Sequence, residues 1–97
     1  MAHNPAQYAR VAADSLDRLV NDVRAGRAEW AHPHAVRQAA EDLLRLSDAM
    51  ATALQQMAAA LDPADPATRR SAGALHLAGQ AATTTAVQLR NVRRTLH

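Results

Sequence analysis

Residues 36–96 read VRQAAEDLLRLSDAMATALQQMAAALDPADPATRRSAGALHLAGQAATTTAVQLRNVRRTL, and the spacing of their apolar side chains decides the fold. One stripe runs from Val36 through Ala40, Leu43, Ser47, Met50, Leu54 and Met57 to Leu61. A second runs from Leu75 through Ala78, Ala82, Thr85, Leu89 and Val92 to Leu96. Alternating steps of four and three residues keep a side chain on one side of an α-helix, so each stripe predicts one long helix. Asp62-Pro63-Ala64-Asp65-Pro66 lies between them. Neither proline offers the backbone donor a helix interior needs. The two helices therefore fold back on each other as an antiparallel hairpin.

Working outward, Pro33 suits the first position of the second helix, and Asp65 followed by Pro66 is a start signal for the third. A shorter first helix is announced by Asn4-Pro5-Ala6-Gln7, where Asn4 caps and Gln7 closes a capping box. The stripe Tyr8, Ala12, Leu16, Leu19, Val23 follows, and Gly26 is placed to end that helix in the left-handed conformation. The prediction is an all-α, single-domain, three-helix bundle over 1–97. Its helices cover about 5–25, 33–61 and 66–96, with the short first helix packed on the long hairpin.

Apolar residues make up 48% of the chain, but most are alanine; there is no Phe or Cys, one Trp and one Tyr. Alanine adds little burial, whereas a fully buried Leu or Met contributes about 1.5–3 kcal/mol. A lone copy is expected to be modestly stable, and chains this short often lean on association. The lack of cysteine excludes disulfides and thiolate metal sites. No signal-peptide pattern or membrane-length apolar run is present, so the expectation is a cytoplasmic protein that does not cross a membrane.

A hairpin folded at residue 64 brings together positions whose numbers add to 128 or 129. Leu54 then meets Leu75, Met50 meets Ala78, Ser47 meets Ala82, Leu43 meets Thr85, Ala40 meets Leu89 and Val36 meets Val92. Large side chains mostly face small ones, as close packing requires. Ser47 and Thr85 are expected to bond the carbonyls four residues back in their own helices. The first helix is too short to cover the half of the stem nearest the turn. Leu54, Met57, Leu61, Leu75 and Leu77 are therefore the candidate self-association residues, pairing two stems in a homodimer.

The same folding gathers Arg24, Arg27, Arg37, Arg90, Arg93 and Arg94 near one end. All basic residues but the histidines are arginine, and the formal net charge is +2. Guanidinium groups bind phosphates and carboxylates in a bidentate fashion, so this end is the candidate partner site. A protein partner is the first expectation. Nucleic acid is the alternative, contacted through its backbone, because no helix-turn-helix pattern is present. Trp30 is expected to cap the bundle where the first two helices meet.

Nothing in the chain equips a reaction, and no enzyme, cofactor or metal centre is expected. The serines lack histidine and carboxylate partners at usable spacing. His32-Pro33-His34 lacks the further ligands zinc needs. The segment Ala74-Leu75-His76-Leu77-Ala78-Gly79-Gln80-Ala81 resembles the histidine-phosphotransfer helix, but Gly79 and Gln80 stand where that family has lysine and glycine. In size and arginine content the chain resembles the chorismate mutases, yet it has no lysine for their pocket. It also resembles the secreted Trp-x-Gly hairpins in length, with Trp30-Ala31-His32 placed before the hairpin instead of between its arms. The expected function is a non-enzymatic interaction or regulatory module.

Overall fold

The computed structural model describes residues 5–26, 30, 32–61 and 63–96. The regular structure among them is wholly helical: α1 (Ala6–Arg24), α2 (Pro33–Ala60) and α3 (Pro66–Thr95). The protein is all-α with three helices, and each helix boundary falls within one residue of its prediction. Internal contacts divide the chain into two units, residues 1–32 and 33–97.

In the first unit, the amides of Tyr8 and Ala9 donate to the Pro5 carbonyl at 3.2 and 3.4 Å, opening α1. Asn4, the expected cap, lies outside the described residues. The other end follows the sequence closely. Gly26 has φ 74°, and its amide donates to the Val23 carbonyl at 3.1 Å while Ala25 donates to Asn21 at 2.9 Å. A left-handed residue here turns the chain off the helix axis without the Cβ clash that other residues suffer. Of the α1 stripe, Ala12, Leu16, Leu19 and Val23 are half-buried and Tyr8 is exposed. Trp30, expected as a cap, is 43% exposed.

The second unit is the hairpin. Leu61 closes α2 with a tight bond from its amide to the Ala58 carbonyl, 3.3 Å. Asp65 then takes an extended conformation, and its carboxylate accepts from the Ala67 amide at 3.0 Å. Its carbonyl accepts from the Arg69 amide at 2.9 Å and from the Thr68 hydroxyl at 2.9 Å. With Pro66 in the first position, α3 starts as the sequence predicts. Asp62 lies outside the described residues.

The packing seam differs from the expected one by a rotation. On α2 the buried residues are Ala40, Leu44, Ser47 and Ala51; on α3 they are Gly79, Ala82 and Ala86. Leu44 thus replaces Leu43, Ala51 replaces Met50, Gly79 replaces Ala78 and Ala86 replaces Thr85. One residue is about 100° on an α-helix, so both helices turn their smallest side chains toward each other. Ala86 is 0% exposed, whereas Met50 is 46% exposed. The cause is geometric: backbones approach closely across Ser, Ala and Gly, while a Met or Thr at mid-seam would hold them apart.

The pairing shifts as well. A Cβ built on Gly79 would lie 3.5 Å from the Ala51 carbonyl oxygen, 3.6 Å from Gln55 Cγ and 3.7 Å from Leu54 Cβ. The fold point at residue 64 would have placed residue 49 or 50 there. At Gly79 the register therefore runs up to a turn further along α2 than that fold point implies. The hydroxyl expectation holds for Thr85, which donates to the Ala81 carbonyl at 3.0 Å. Thr83 and Thr84 likewise donate to Gly79 and Gln80, both at 3.1 Å, so the threonine run stays helical.

Candidate functional site

The rotation of the seam gives the hairpin two unlike flanks. On α2, Arg37, Glu41, Asp48 and Gln55 recur at helical spacing on one side. Asp48 reaches across to Arg90 of α3 with a 2.9 Å hydrogen-bonded ion pair. Arg37 stands 3.9 Å from Glu41. On α3, Gln80 and His76 share a 3.3 Å hydrogen bond. This flank is largely polar and laced by side-chain contacts, with Val87 of α3 also exposed on it.

The other flank of α2 carries Ala39, Leu43, Leu46, Met50, Ala53, Met57 and Ala60, with no charge among them. Met50 lies two residues from Asp48, which is about 200° around the helix and so on the opposite side. Leu43 and Leu46 are half-buried, while Met50 and Met57 are 46% and 52% exposed. Continuous apolar surface of this kind marks association surfaces. The sequence stripe had merged it with the seam, because the apolar arc of α2 is wider than α3 can cover.

The predicted self-association residues fall in three places. Leu54 sits at the seam beside Gly79, and Leu61 and Leu75 are half-buried. Met57 is exposed on the apolar flank of α2. Leu77 is 65% exposed and lies two residues from the seam residue Gly79, on the far side of α3. Met57 and Leu77 thus do not share a face. Ala39, Leu43, Leu46 and Met50 complete the apolar flank with Met57; the signal for them was a second run of four-three steps beside the first.

At the open end of the hairpin, acids temper the arginines. Arg37, Arg45 and Arg90 are each paired, with Glu41, Asp42 and Asp48 respectively. Arg94 donates to the Asn91 side chain. Arg93 is exposed and has no hydrogen-bond or ionic partner among the described residues. Arg37 Nε is buried without an acceptor there. Among the described residues, Arg93 and Arg94 are therefore the arginines of this end without a carboxylate partner. Arg24 ends α1 in the other unit, and Arg27 lies outside the described residues. The sequence reading had missed Asp48 as a member of this end, because it reaches Arg90 only in the shifted register.

Among the described residues, no cluster of three or more His, Asp or Glu side chains converges to hold a metal ion. No described helix is long and apolar enough to cross a membrane. Comparison with protein-family models, curated proteins and solved structures finds no match to this chain.

Proposed function

We propose that the chain is a non-enzymatic helical interaction module, acting through protein–protein contact and self-associating through its hairpin. The observation that carries this is the inequality of the flanks. One is closed by ion pairs, while the other offers half-exposed Leu43, Leu46, Met50 and Met57 with no charge between them. The seam itself buries one large side chain, Leu44, among alanines. A fully buried leucine contributes about 1.5–3 kcal/mol, against about 1.5 kcal/mol of conformational entropy lost for every ordered residue. Such a hairpin gains from covering its second flank. Sedimentation equilibrium of the full chain tests the reading: a dimer is expected at micromolar concentration, and Met50→Glu should return it to monomer with its helicity kept. A monomeric parent chain would end the self-association part of the proposal.

The arginines give the second element, a site for an acidic partner at the open end. Arg93 and Arg94 are the contact residues the geometry favours, with Arg37 and Arg90 held in ion pairs beside them. The same two guanidinium groups also support a nucleic-acid reading, in which phosphate is the ligand. Retention of the chain on DNA or RNA at low salt, lost in Arg93→Ala/Arg94→Ala and weakened steeply by added salt, would support it. Equal retention of the variant would remove it.

A further inference from the structure

We draw no further inference here: the strongest candidate, the apolar flank of α2 that carries Leu43, Leu46, Met50 and Met57, is left open by α3, and nothing in the structure shows what covers it.

Discussion

Gly73 and Gly79 look alike in the sequence, both glycines inside a long helix, but they do different things. A Cβ on Gly73 would meet nothing within 4 Å, whereas one on Gly79 would touch Ala51, Leu54 and Gln55. Gly73 therefore carries the entropic cost of glycine in a helix with no contact to set against it. Gly73→Ala is expected to stabilise the protein by about 0.5–1 kcal/mol, read as a rise in the urea midpoint at unchanged slope. Gly79→Leu should do the reverse. It would wedge α2 from α3 and cost about 1–3 kcal/mol in overpacking. Asp65 offers a third residue-scale check, because its carboxylate holds the Ala67 amide at the start of α3. Asp65→Ala should cost about 1 kcal/mol. These caps and breaks were plain in the sequence, since Asp65-Pro66, Pro33 and Gly26 act through their own backbone and need no tertiary context.

At the scale of the helix pair, the sequence was less informative, and α2 shows why. Its apolar residues occupy a broad arc that includes both Ala51 and Met50, and both Leu44 and Leu43. Spacing places the arc and leaves open which edge of it faces α3. The outcome depends on how closely two backbones can approach, a property of the pair. The same cause hid the Arg90–Asp48 bond, since Asp48 reaches Arg90 only in the observed register. Within the hairpin, Arg37, Arg90, Arg93 and Arg94 were legible as lying on the first half of α2 and the last turns of α3, and the partial neutralisation of Arg37 and Arg90 was not. Both side chains of that pair are roughly half exposed, so its worth is small. A double-mutant cycle of Asp48→Asn and Arg90→Gln should give a coupling of about 0.2–1 kcal/mol, shrinking as salt is added. A coupling insensitive to salt would mean that the pair is more shielded than its exposure implies.

For the whole molecule, the consequence of a thin seam is that folding and association become linked. The hairpin buries alanines and Leu44, and Leu43, Leu46, Met50 and Met57 lie on a flank that α3 does not cover. If a second copy covers it, mass action makes stability depend on protein concentration. Each tenfold increase adds about 1.4 kcal/mol per dimer, which for a two-chain unit of this size corresponds to a melting temperature higher by a few degrees. The parent chain should therefore melt at successively higher temperatures across a hundredfold concentration series. Met50→Glu, which would place a carboxylate on the exposed apolar flank of each copy, should melt lower and at one temperature throughout. Arg93→Ala/Arg94→Ala should keep the parent's concentration dependence, because those side chains belong to α3 and not to the apolar flank of α2. A flat series for the parent would mean that the apolar flank is satisfied without a second copy, and the linkage between folding and pairing would be lost with it.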